Sequence, residues 1–178
     1  MQPSALASTH ATTRVYTPRM TSRVLPVIAL TLTALGLVPG GAHVLELPVK
    51  LGYSPQMYAG VTSTLYAWYG IAGGVIQVAA SLSVFLLAFR TRNSPQGPLT
   101  IAAAAALFAS LLLWGFLVAP VNSAWAGTAG SSESEIVAAY AHLRSRWEFG
   151  HLAAFVAWMT GWFGLVAAIV RPTPGSSA

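Results

Sequence analysis

Apolar and polar positions in this chain are gathered into blocks rather than alternated. Apolar runs at about Val24 to Leu47, Val61 to Phe89, Leu99 to Val121 and His151 to Val170 are divided by short polar stretches. Each run is near the ~20 residues that an α-helix needs to cross a bilayer. The pattern predicts an all-α membrane protein, a four-transmembrane-helix up-down bundle. Within the first run Pro39-Gly40-Gly41 should kink or unwind the helix, and Pro48 should stop it. Arg90, Arg92, Asn93, Pro95, Gly97 and Pro98 supply the turn between the second and third spans. Gly70 and Gly74 have the spacing of a close helix-packing face.

The long polar stretch from Asn122 to Arg146 carries its own signal. Ser132 followed by Glu135 has the spacing of a capping box, and Ile136, Tyr140, Leu143 and Trp147 then recur at helical intervals. An amphipathic helix is expected to begin near Glu133, outside the membrane before the fourth span. It either lies on the interface or runs on through Gly150. Residues 1–22 are rich in Ser and Thr, hold Arg14 and Arg19, and contain no acidic residue, so they cannot build a core. Disorder is expected there and at 172–178, flanking a membrane domain at 23–171.

Composition sharpens this picture. Only 7% of the 178 residues are charged and 55% are hydrophobic, with a mean hydropathy of +0.64. A water-soluble domain carries roughly 25% charged residues, so that class is excluded. The net charge of +5 does not point to nucleic acid, because the basic residues form no run and flank the apolar segments. They act instead as topology signals. Arg14, Arg19, Arg23, Arg90, Arg92 and Arg171 fall on one side, against Lys50, Arg144 and Arg146 on the other, so the expectation is a multi-pass protein of the cell membrane with both termini cytoplasmic. Two alternatives stay open at the N-terminus: a start at Met20, or a signal peptide with Val24 to Val38 as its apolar core and a cut after Ala42. With no cysteine, disulfides, thiolate nucleophiles and iron-sulfur clusters are excluded.

The chemistry-bearing residues collect at one end. His43 and Glu46 close the first span, and Glu148 and His151 open the fourth, so each helix offers a carboxylate and an imidazole at i, i+3, on one face. Ionisable groups within a membrane cost several kcal/mol and need a partner or a purpose. Three uses compete. The two pairs could hold a single metal, although a di-iron bundle has further carboxylates. His43 and His151 could ligate a haem from opposite sides. Alternatively Glu46, Lys50, Arg146 and Glu148 pair at the interface while both histidines serve as hydrogen-bonding glue. Gln77, inside the second span, reads as a bond to a neighbouring helix, and His142 as part of a solvated face. Trp68, Trp114, Trp158 and Trp162 read as the aromatic belt of the membrane interface.

The segments Ala42-His43-Val44-Leu45-Glu46-Leu47-Pro48-Val49-Lys50, Pro120-Val121-Asn122 and Leu143-Arg144-Ser145-Arg146-Trp147-Glu148-Phe149-Gly150-His151 give the chain a further signature. With Tyr58 in the loop that follows the first, it resembles a family of small four-helix membrane proteins grouped with the anthrone oxygenases. The likeness covers roughly Val24 to Val170. It departs from the family at Trp125-Ala126-Gly127, where a longer polar stretch is usual. The resemblance implies a membrane oxidoreductase, an anthrone-oxygenase-like monooxygenase, acting on a small lipophilic aromatic substrate that enters from the bilayer. Glu46, Glu148 or His151 would then remove a proton, and Arg146 and Asn122 would steady the oxyanion, with no cofactor strictly required. The reading from a different class is a non-enzymatic membrane protein that packs with a partner or binds lipid. The sequence leaves oligomeric state open.

Overall fold

A computed structural model describes residues 21–171, and no strand occurs among them. Helix α1 spans Thr21–Lys50 and α2 spans Pro55–Thr91. Helix α3, Gly97–Leu113, passes through a π-helical turn at Trp114–Val118 into α4, Ala119–Ala126. Helix α5 runs over Glu133–Val170. Four continuous helical stretches are thus long and apolar enough to cross a membrane, the third formed by α3, the π-turn and α4 together. The segments 1–20 and 172–178, expected to be disordered, lie outside the described residues, and α1 begins at Thr21.

Local chemistry sets where the helices start. The Ser54 side chain accepts from the Met57 N–H, ahead of Pro55 in the first turn of α2. Ser132 and Glu135 form both halves of the expected capping box, and α5 then continues unbroken through Gly150. Prolines prove less decisive than the sequence suggests. Pro26, Pro39 and Pro48 all lie inside α1, so Pro48 does not stop it, and the helix ends two residues later at Lys50. A proline removes one donor and crowds one carbonyl; flanking turns can carry the helix across that defect.

The end of the third span, expected at about Val121, is a second correction. The third helix passes through Pro120 to Ala126, which places Asn122 and Trp125 on a helix rather than in a loop. Because Pro120 has no N–H to donate, the Phe116 carbonyl loses its usual partner. The Arg146 guanidinium donates to that carbonyl at 2.9 Å.

Helix α5 packs against α1 and α3, and α2 packs against the same two, which closes a ring of four around a shared interior. Two apolar clusters divide that interior. One holds Ala29, Val84, Leu107, Trp158 and Leu165; the other holds Tyr58, Tyr66, Val118, Trp125 and Trp147. Outward positions are apolar as well, with Phe85, Phe108 and Phe116 all exposed. A helix that is hydrophobic on all sides suits a bilayer rather than water.

Glycines decide how closely the helices meet. A Cβ on Gly36 would stand 2.5 Å from the Trp158 ring, and one on Gly73 would stand 2.7 Å from Pro39. Gly70 and Gly74 do not share that role: a Cβ on either would meet nothing within 4 Å. The close approach of α2 to α1 is made by Gly73 instead. Gly70 and Gly74 leave space.

Candidate functional site

The space left by those glycines is a cavity of about 310 Å³. His43 from α1, Tyr66, Tyr69 and Gln77 from α2, Trp114 from the π-turn, Asn122 from α4, and Trp147, His151 and Phe155 from α5 all line it. Its size is at the low end of the roughly 300–1,000 Å³ common for small-molecule sites. Aromatic side chains and glycines make up much of the wall, with a few polar groups.

The two histidines are the centre of this wall. His43 and His151 meet ring to ring, with centroids 4.2 Å apart and planes tilted by 52°. Tyr66 sits edge-on to His43 at 4.5 Å and Trp147 at 4.9 Å, while Trp147 also lies 4.1 Å from His151. The His151 Nδ1 is 3.0 Å from the Trp147 carbonyl oxygen. A carbonyl can only accept, so Nδ1 carries the proton, and in the neutral ring Nε2 keeps the free lone pair. His43 is 5% exposed, and its Nδ1 has no hydrogen-bond partner among the described residues. A buried polar atom left in that state carries a desolvation penalty of about 1–3 kcal/mol. A polar ligand would relieve it.

The carboxylates form a layer beside the cavity instead of part of its wall. Glu148 accepts from the Tyr58 hydroxyl at 2.7 Å and from the Lys50 ammonium at 3.3 Å, and Glu46 accepts from the Tyr66 hydroxyl. Lys50 is 1% exposed and stands over the rings of Trp147, at 4.8 Å, and Tyr66, at 5.2 Å. This ammonium is held by one carboxylate and two π-faces. Glu46 therefore reaches the histidines through Tyr66 and His43, while the His151 Nδ1 is engaged by its own helix.

Of the residues singled out by sequence, His43, His151 and Asn122 come together at the cavity. Glu46 and Glu148 stand one residue away from it. Arg146 is spent on the Phe116 carbonyl at the exposed surface. Asn122 accepts from the Trp147 indole N–H at 2.7 Å, which leaves its amide nitrogen as a donor. Gln77 donates to the Gly36 carbonyl at 2.9 Å, the interhelical bond expected of it, while also lining the cavity. His142 is exposed, as a solvated face requires. Trp68 is exposed as a belt residue would be, but Trp158 is 1% exposed and donates to the Thr33 carbonyl, and Trp114 and Trp158 both line the cavity.

Cofactor geometry can be tested on the same contacts. Among the described residues no group of three His, Cys, Asp or Glu side chains is placed to hold a metal ion. The carboxylates that would complete such a set are turned to Tyr66, Tyr58 and Lys50. Nor do the histidines fit haem between them, since rings in mutual contact leave no gap for a macrocycle.

Of the aromatic side chains around the histidines, Tyr66 and Tyr69 are the ones that sequence reasoning passes over. Tyr58, Thr62, Tyr66, Tyr69 and Gly73 recur every three or four residues on α2, a face that periodicity could have singled out. Its hydroxyls explain where both carboxylates go. No family model, curated protein or solved structure matches the chain.

Proposed function

We propose that this protein is a multi-pass membrane oxidoreductase, anthrone-oxygenase-like, that binds a small lipophilic aromatic substrate in the histidine-lined cavity. The observation that carries this reading is the pair His43 and His151, ring against ring on the wall of a cavity that Tyr66, Tyr69, Trp114 and Trp147 also line, with the His43 Nδ1 buried and unpartnered. His151 is the general base, because its Nδ1–H donates to the Trp147 carbonyl and fixes the tautomer that leaves Nε2 basic. The Asn122 amide N–H and His43 steady the oxyanion that forms when the CH₂ of an anthrone loses its proton to His151 and the charge passes to the ketone oxygen across the ring. The same anion, reacting at carbon, adds dioxygen and takes the proton back from His151 to give a hydroperoxide. Loss of the second C–H proton with cleavage of the O–O bond then yields the ketone and water, so one dioxygen is consumed per CH₂ oxidised. In this reading Glu46 and Glu148 position Tyr66, Tyr58 and Lys50 around the histidines, and Arg146 braces a helix.

The bundle is placed up-down across the cell membrane, with both termini cytoplasmic and the start of α5 outside the hydrocarbon. The arginine asymmetry supports this orientation, and the capping box at Ser132 supports the water-exposed start of α5. A second reading, a non-enzymatic scaffold, is favoured by the mutual satisfaction of Lys50, Glu148 and Tyr58.

The test is aerobic incubation of an anthrone with the purified protein in nanodiscs, following quinone absorbance and oxygen uptake together. His151→Ala should remove turnover while the melting temperature holds within a few degrees. Turnover that survives His151→Ala, or no turnover by the wild type across a set of substituted anthrones, would overturn the enzymatic reading.

A further inference from the structure

The cavity of the proposed function lies within the bundle, so a ligand must have a way in, and the glycines indicate where. Gly70 and Gly74 on α2 and Gly115 in the π-turn all line the cavity, and a Cβ at any of the three would meet nothing within 4 Å. The other glycines on this wall, Gly36, Gly40 and Gly73, would each bring a Cβ within 3.0 Å of a neighbouring side chain. Two populations of glycine therefore serve the same cavity. One lets helices touch, and the other holds a gap open.

That gap opens on the apolar outer face of the bundle. Gly115 is exposed, and Gly70 and Gly74 are partly so. Ile71, Val75 and Val78 beside them on α2, and Leu112 and Phe116 beside Gly115, are exposed apolar side chains. Lys50, Glu148, Tyr58 and Trp147 are linked or stacked over the cavity at the other approach, through hydrogen bonds at 3.3 Å and 2.7 Å and the 4.8 Å cation–π contact. An apolar slot of backbone and glycine on one side, and a charged clasp on the other, select for an uncharged ligand arriving through hydrocarbon. A stripe of small residues alone would fit many uses; the buried, unpartnered His43 Nδ1 on the same wall is the independent sign of a ligand.

We infer that the seam between α2 and the π-turn, bordered by Gly70, Gly74 and Gly115, is a lateral entrance through which a flat, uncharged aromatic molecule passes from the bilayer to His43 and His151. The inference rests on the cavity being a ligand site. The slot is bordered by α2 on one side and the π-turn on the other, with no side chain at Gly70, Gly74 or Gly115 to fill it. Side chains on the three glycines would project into open space, so they narrow the entrance without disturbing the packing of the bundle.

The test uses the full chain in nanodiscs, with 1-naphthol as the neutral probe and its sulfonate as the charged one, read by stopped-flow quenching of tryptophan fluorescence. The wild type should bind 1-naphthol and exclude the sulfonate. Gly74→Leu and Gly115→Leu should slow association and dissociation together, by about tenfold, with little change in Kd; a residue that merely filled the cavity would raise Kd instead. Gly70→Ala serves as a milder narrowing that any folded protein tolerates. Unchanged rates in the leucine variants, or sulfonate entering as fast as naphthol, would overturn the entrance while leaving the cavity a ligand site. Absence of any naphthol binding by the wild type would overturn both.

Discussion

The Lys50 ammonium and the Glu148 carboxylate meet at 3.3 Å, joining the last residue of α1 to the middle of α5, with Lys50 only 1% exposed. Removing one partner from such a pair leaves a buried charge unanswered, which costs about 3–5 kcal/mol where burial is complete. Glu148→Gln should lower the melting temperature markedly. The double variant Lys50→Met with Glu148→Gln should recover much of the loss. Thermal unfolding in detergent, read as a double-mutant cycle, checks this; equal melting of all four proteins would show that the pair is not a clasp.

The glycines give a contrast that is independent of any ligand. Gly36→Ala forces a methyl against the Trp158 ring and should destabilise the protein by about 1–3 kcal/mol. Gly74→Ala meets open space and should be neutral or stabilising by up to about 1 kcal/mol, since alanine favours the helix. Denaturation of the two variants side by side decides the matter.

Trp147 is 1% exposed and ties the aromatic cage around the histidines together through its indole N–H, 2.7 Å from the Asn122 oxygen. Trp147→Phe retains a ring but removes that donor, at a cost of about 1 kcal/mol. Asn122→Ala should cost a similar amount, and the two losses should not add. Additive losses in a double-mutant cycle would show that the bond contributes little.

Much of this arrangement was legible in the residue pattern, and the exceptions have physical causes. The spans and the α5 cap could be read because bilayer thickness and unsatisfied N–H groups impose fixed lengths and spacings. His43 and His151 could be found because ionisable groups in apolar runs demand an explanation. The destinations of Glu46, Glu148 and Arg146 could not, since a charge at a helix end has several partners within reach and only packing chooses among them. Gly70 and Gly74 read as packing residues in the sequence because the signature of a contact and of a gap is the same small side chain. The continuation past Pro120 was hidden by Arg146, which answers the Phe116 carbonyl from 30 residues away.

That contact separates two roles for Arg146. Its guanidinium bonds the Phe116 carbonyl and does not line the cavity, so Arg146→Ala should lower stability by about 1 kcal/mol and leave kcat of any measured turnover within twofold. A large fall in kcat with unchanged melting would return Arg146 to the oxyanion role.

Orientation can be checked without a substrate. The chain has no cysteine, so a single introduced thiol labels cleanly. Ser94→Cys should resist an impermeant maleimide in intact cells, and Ser131→Cys should react; the reverse pattern would invert the bundle.

The π-turn at Trp114–Val118 holds one residue more than an α-helical turn requires, and each residue of a helix advances it by about 100°. Everything after the turn is consequently rotated by that angle relative to a helix without it. Straightening that turn into regular α-helix without removing a residue would bring Val121 to the position of Asn122 and Ala124 to that of Trp125. A valine there could not accept the Trp147 N–H, and an alanine could not fill the space of an indole. The one residue absorbed at this turn thus keeps an amide and an indole on the wall where a regular helix of the same sequence would present aliphatic side chains, so the pocket depends on the pitch of a single turn.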